Sequence, residues 1–132
     1  MKTVLFVCKK NGGKSQMAAS IMRARAPENI RVFSAGAQPG ESLNGLSVQT
    51  LEARGYSVEG EYPKAAEGEL VEQSDLVVFL GNEAHLDLPE GTPSERWSTV
   101  EPSLNGIEGE ERMNLILDDI EARVNDLVQR IS

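Results

Sequence analysis

The chain has 132 residues, with 13 Lys and Arg against 21 Asp and Glu for a net charge of −8, and it carries a single cysteine and a single histidine. That balance speaks against nucleic acid and anionic membranes as partners, which need an extended positive face. The lone cysteine excludes an internal disulfide or a multi-cysteine metal centre, and no metal site is expected. The length suits one domain, 1–132; without a bilayer-length apolar run or a basic-then-apolar leader, the reading is cytoplasmic.

Lys2–Val7 is a short apolar, β-branched run that suits a buried parallel strand. From Lys14 to Arg25 helix formers predominate, with Met17 and Ile21, and beside them Ala18 and Ala24, on one face; Pro27 stops the helix. Ile30–Ser34 reads as a second strand ended by Ala35-Gly36, followed by loop through Pro39 and Gly40. Leu46–Arg54 reads as a helix with Gly55 as its stop. Tyr56 to Pro63 is expected to be irregular or extended, Ala66–Gln73 a short helix, Asp75–Leu80 a third buried strand and Asn82–Leu86 a helical turn. Pro89–Pro93 is a breaker-rich surface loop, Arg96–Ser98 a short last strand, and Glu101-Pro102 part of a second loop. Met113, Ile116, Leu117, Ile120, Val124, Leu127, Val128 and Ile131 recur at helical spacing, which predicts a long amphipathic helix over 109–131.

Strands alternating with helices imply an α/β fold, a four-stranded parallel sheet flanked by helices in three αβα layers. In such sheets ligands bind beyond the carboxyl ends of the strands. The loops after Cys8, Phe33 and Leu80 lie at those ends.

Residues 4–19, VLFVCKKNGGKSQMAA, bring a strand end, a glycine-containing loop and a helix start together at Cys8. Inward-pointing N–H groups of a tight loop, the unpaired donors and positive end of the next helix, and the charge of Lys14 together suit an oxyanion. The same field stabilises a thiolate, which makes Cys8 a candidate nucleophile. Without that context a lone cysteine is a small core hydrophobe. Lys9, Lys10 and Lys14 cluster in an otherwise acidic chain, although Lys9 and Lys10 alone would be ordinary surface charges.

Gly12-Gly13-Lys14-Ser15 resembles the end of a nucleotide P-loop. The first glycine of G-x-x-x-x-G-K-[ST] would fall at position 8, which is Cys8, and no apolar strand ends in a Walker B aspartate. Nucleotide binding is therefore set aside.

In the register C-x2-N-x2-K-S the loop resembles that of low-molecular-weight protein tyrosine phosphatases and their arsenate-reductase relatives, normally C-x-G-N-x-x-R-S. Ser15-Gln16-Met17-Ala18 resembles the arsenate-reductase form, Phe33-Ser-Ala-Gly36 the second-strand signature, and Tyr62-Pro63-Lys64 the family's P-K step. Leu76–Gly81 resembles the third strand, Trp97 with Glu101-Pro102 the acid loop, and Arg112–Val124 the C-terminal helix. Two positions depart from the pattern. Lys14 stands where the family has arginine, a point charge in place of a planar fork. Lys10 replaces a glycine and is expected to strain the loop if that position needs a positive φ.

The resemblance implies that the Cys8 thiolate attacks the oxyanion. It also implies that Lys9, Lys10, Asn11, Gly12, Gly13, Lys14 and Ser15 bind the oxyanion, that Ser15 hydrogen-bonds the sulfur, that Asn11 holds the loop, and that Glu101 stands in for the acid. Lysine in an N-G-G-K-S loop resembles the mycothiol-linked arsenate reductases. Thioredoxin-coupled relatives carry two further cysteines after the third strand, and Gly81–Asp87 has none. The favoured reading is arsenate reduction with no bound cofactor, mycothiol as thiol co-substrate and mycoredoxin as the partner that releases arsenite. A tyrosine or small-molecule phosphatase is the alternative, and a catalytically impaired oxyanion-binding protein a third. Tyr62, Phe79 and Trp97 read as core or pocket wall, His85 as structural or exposed, and Arg96 as either an anion contact or a neighbour of Trp97.

Overall fold

The computed structural model describes residues 2–99 and 102–131. In chain order these form β1 (Lys2–Cys8), α1 (Lys14–Arg25), β2 (Ile30–Gly36), α2 (Gly45–Ala53), α3 (Gly68–Glu72), β3 (Leu76–Leu80) and β4 (Ser94–Trp97). A 3₁₀ turn at Pro102–Asn105 and the long α4 (Gly109–Ile131) follow. The strands make one parallel four-stranded sheet in the order β2-β1-β3-β4.

Side chains of β1 alternate between two cores, as the period of a strand requires. Val4, Phe6 and Cys8 join the larger one with α1, α2 and α4, where Met17, Ile21, Leu51, Ile116, Leu117 and Ile120 are buried. Leu5 and Val7 join a thinner one with Val77, Phe79, Val71 and Ala84. A strand covered on both faces reads as one apolar run, and this explains why β1 shows no polar alternation. The chain moves from β1 to β2 on one side and returns to β3 on the other. Cys8 thus ends β1 at the point where the strand order reverses, the place where open α/β sheets hold ligands.

The long helix α4 follows its apolar spacing, burying Met113, Ile116, Leu117, Ile120, Val124 and Leu127. Gly55 closes the α2 region in the left-handed conformation, φ 87°. By contrast, α1 is buried all round from Ser15 to Met22, so no single apolar stripe marks it. Ala24, expected on its inner face, is exposed.

Three local expectations fail for tertiary reasons. The helix expected over Ala66–Gln73 is confined to Gly68–Glu72, because Ala65 is still extended and bridges Gly36, with the Ala66 N–H donating to the Gly36 carbonyl at 3.3 Å. Asn82–Leu86 is not helical, since the Arg96 guanidinium takes the carbonyls of Gly81 and Ala84. The last strand starts earlier than Arg96 and stops at Trp97, leaving Ser98 outside it. Among the described residues no helix is long and apolar enough to cross a membrane.

Candidate active site

The loop after β1 is shaped by main-chain bonds to the segment that follows β2. The carbonyls of Cys8, Lys9, Lys10 and Gly12 accept the N–H groups of Ala37, Gln38, Gly40 and Asn44 at 3.0, 2.7, 2.9 and 2.7 Å. A planar trans peptide points its N–H opposite to its carbonyl. Tying the carbonyls to one side therefore turns the following amides toward the other side, where the Cys8 sulfur lies. The Asn11 N–H shows this directly, donating to Cys8 Sγ at 3.1 Å. Outside its own helix, none of the amides of Gly12, Gly13, Lys14 and Ser15 meets a backbone acceptor among the described residues. These are the free donors of a loop and a helix start, the arrangement that holds anions.

Asn11 adopts φ 58°, the left-handed region, and is fully buried. The condition under which Lys10 would strain the loop is not met: the left-handed residue is Asn11, which tolerates that conformation better than most residues. Its side chain is fixed at both ends. Oδ1 accepts the Lys64 N–H at 2.9 Å and the Gln16 Nε2 at 3.3 Å, while Nδ2 donates to Ser15 Oγ at 2.8 Å. Ser15 Oγ lies 2.8 Å from Cys8 Sγ. With the asparagine amide donating into that oxygen, the hydroxyl proton is left to face the sulfur. A thiolate can only accept, so an ionised Cys8 takes hydrogen bonds from both the Asn11 N–H and the Ser15 hydroxyl.

Two glycines make the loop possible. A Cβ on Gly36 would lie 2.9 Å from the Lys10 carbonyl carbon and 3.0 Å from Asn11 N, and one on Gly12 would lie 3.1 Å from the Ser42 carbonyl. At these positions the backbone of one segment occupies the place of a side chain on the other.

The loop opens into a cleft of about 940 Å³, walled on its far sides by Leu80, Gly81, Arg112 and Met113. Lys9, Lys10 and Lys14 also line it, together with Glu41 and Glu83. Lys9 ion-pairs with Glu83 at 3.6 Å, whereas no carboxylate pairs with Lys10 or Lys14 among the described residues. Among the described residues, no aromatic side chain lines the cleft. Trp97 is buried against Phe6 with ring centroids 5.7 Å apart, Phe79 lies under the Arg96 guanidinium at 4.8 Å, and Tyr62 is 62 % exposed. Arg96 is thus a pin for the loop after β3, and His85 is exposed. No group of His, Cys, Asp and Glu among the described residues has a metal-binding arrangement.

Of the residues read from the sequence, the structure brings Cys8, Asn11 and Ser15 into hydrogen-bond contact and sets Lys9, Lys10, Gly12, Gly13 and Lys14 around the cleft. Glu101 lies outside the described residues. Gln16, Gly36 and the main chain of Tyr62 and Lys64 were not among the candidate site residues. Only their place in resembling motifs marked them, since their function depends on contacts between distant segments.

Residues 3–132 match the family model for low molecular weight phosphotyrosine protein phosphatase. Arsenate reductase 1 of Staphylococcus haemolyticus is 28 % identical over 105 residues, covering 77 % of this chain and 78 % of that protein. The solved arsenate reductase of Archaeoglobus fulgidus superimposes with a TM-score of 0.79 at 29 % identity, covering 96 % of this chain and 98 % of its own. The thioredoxin-dependent arsenate reductase of Corynebacterium glutamicum gives 0.84 at 27 % identity; it covers 99 % of this chain, which spans 62 % of that longer one. A family match that runs without a break from β1 through the cysteine loop to the end of α4 leaves one conclusion, that the chain belongs to the low-molecular-weight phosphotyrosine protein phosphatase family.

Proposed function

We propose that this protein is an arsenate reductase in which Cys8 is the nucleophile and mycothiol the resolving thiol. The observation that carries the reading is the cleft: a thiol cradle built for a small oxyanion, with no aromatic wall among its lining residues to grip a phenyl ring. The relatives named as arsenate reductases support the same choice.

The Cys8 thiolate attacks arsenic and a protonated arsenate oxygen departs as water, leaving a sulfur–arsenic(V) bond. Loop amides from Lys9 to Ser15 and the Lys14 ammonium stabilise the charge that builds on the arsenate oxygens, and Ser15 eases the later departure of the sulfur. Glu101 is assigned the proton for the leaving oxygen. The adduct must then be resolved from outside, because Cys8 is the only cysteine of the chain. A mycothiol thiolate attacks the arsenic and releases Cys8. A mycoredoxin thiolate then attacks the mycothiol sulfur, so that two electrons pass to arsenic and arsenite departs. A cleft of about 940 Å³ exceeds what a tetrahedral oxyanion fills and falls in the ~300–1,000 Å³ range of sites for drug-sized ligands, which leaves room for the thiol.

A coupled assay tests this. Arsenite is expected only when mycothiol and mycoredoxin are both supplied, and Cys8→Ser is expected to abolish it. Turnover with thioredoxin alone would overturn the thiol assignment. Rapid aryl-phosphate hydrolysis without arsenate turnover would favour a phosphatase.

A further inference from the structure

Gln16 is the third residue of α1 and is 2 % exposed, yet its amide does not serve the helix. Nε2 donates to the Asn11 carbonyl at 3.1 Å and to Asn11 Oδ1 at 3.3 Å, and it lies 3.4 Å from the Tyr62 carbonyl. Oε1 has no partner among the described residues although it is buried. A buried carbonyl without a donor lowers stability, so the glutamine is not explained by packing: an apolar side chain of equal length would fill the space at less cost. Its donor half is the part the structure uses.

Two of the three contacts of that donor fall on one strained residue. Asn11 is held at φ 58°, and this conformation aims its N–H at Cys8 Sγ and its side-chain amide at Ser15 Oγ. The Lys64 N–H holds only Oδ1. Gln16 alone grips both the carbonyl and the side chain of Asn11, and it links them to the Tyr62 main chain. We infer that Gln16 is a positioning residue, which through Asn11 sets the two donors on the Cys8 sulfur. This inference deepens the proposed function and rests on Cys8 being its nucleophile.

The test is Gln16→Met, which keeps the length and removes the donor. Cys8 alkylation by iodoacetamide, followed against pH, reads the sulfur without any arsenate turnover. The pH of half-maximal rate is expected to rise by about one unit as the Asn11 N–H loosens from the sulfur. In the coupled assay, kcat is expected to fall roughly tenfold while KM for arsenate stays within about twofold. In an Asn11→Gly background the same substitution should add almost nothing, since the residue it acts through is gone. An unchanged alkylation profile in folded Gln16→Met, or effects that add fully in the double variant, would overturn the inference. If Gln16→Met does not fold, Gln16→Asn, which retains the amide but shortens its reach, takes the same measurements with the same outcomes. Failure of arsenate turnover in the unaltered protein would strike the proposed function and leave the alkylation result standing.

Discussion

The loops after β1 and after β3 face each other across one cleft, but they are held in opposite ways. The first is fixed by main-chain bonds from four of its carbonyls to residues 37–44 and by a buried asparagine. The second begins with one sheet-like bond from the Gly81 N–H to the Trp97 carbonyl. Beyond that it is held by side chains: Arg96 donates to Gly81 and to Ala84 at 2.8 Å, Glu83 ion-pairs with Lys9 at 3.6 Å, and Ala84 packs into the thinner core. The difference fits the proposed chemistry: a nucleophile with its anion donors tolerates little displacement, whereas a wall need only exclude and admit. Damage to the first loop therefore comes most directly through backbone shape, and damage to the second through its side-chain anchors, Arg96 first.

Gly36→Ala attacks the first loop where it is most crowded. The added methyl pushes on the Lys10–Asn11 peptide, and arsenate turnover is expected to fall by about 100-fold or more with about 1–3 kcal/mol lost in denaturant unfolding. Turnover within twofold of the unaltered protein would show that the loop is less rigid than its bonds imply. Asn11→Ala removes the bonds to Ser15 and Lys64 and places alanine at a left-handed φ, which itself costs about 1–2 kcal/mol. Loss of kcat by about 10- to 100-fold is expected from steady-state kinetics.

Arg96→Ala is the matching cut on the opposite wall. It frees the Gly81 carbonyl near the surface and that of buried Ala84, so about 1–3 kcal/mol of stability and a few-fold rise in KM are expected, with kcat retained. A drop in kcat equal to that of Asn11→Ala would erase the contrast between the loops.

The smallest effect is expected far from both. Glu95 on β4 accepts from Arg130 at 2.9 and 3.2 Å, and that hydrogen bonding holds its carboxyl below the usual carboxylate range. A carboxyl lowered in the folded state contributes stability that is present above its unfolded value, near 4.5, and that is lost as pH falls through the lower folded one. Thermal unfolding of Glu95→Gln should therefore fall slightly below the unaltered protein at pH 7, and the two should converge under acid conditions. Activity at neutral pH should not change.

The sequence made the outline of both loops readable and left their fastening invisible. Cys8 at the end of an apolar run, followed by Asn11, Gly12, Gly13 and a helix start, announces a thiol in an anion loop through local chemistry alone. The long spacing pattern of α4 is equally direct. What could not be read was which residue is left-handed. Lys10 drew attention as a departure from the resembling motif, yet it is Asn11 that takes the positive φ, and the Lys64 N–H that holds its side chain there comes from 53 residues further on. Asn82–Leu86 contains helix-forming residues but surrenders carbonyls to a guanidinium on β4. Gly36 looks like a strand terminator, and its need to lack a side chain is set by a backbone more than twenty residues earlier. In each case a distant contact overrode a local preference.

The hydrogen bonds described above that shape the Cys8 loop arise between residues 8 and 64. In terms of local opening, this separates two events. Fraying of the start of α4 would widen the cleft at Arg112 and Met113 while the amides of Ala37, Gln38, Gly40 and Asn44 stay protected from hydrogen exchange, because they open only when the β1–α1–β2 unit does. Room at the α4 wall and the main-chain bonds between the Cys8 loop and residues 37–44 are thus separable in this fold.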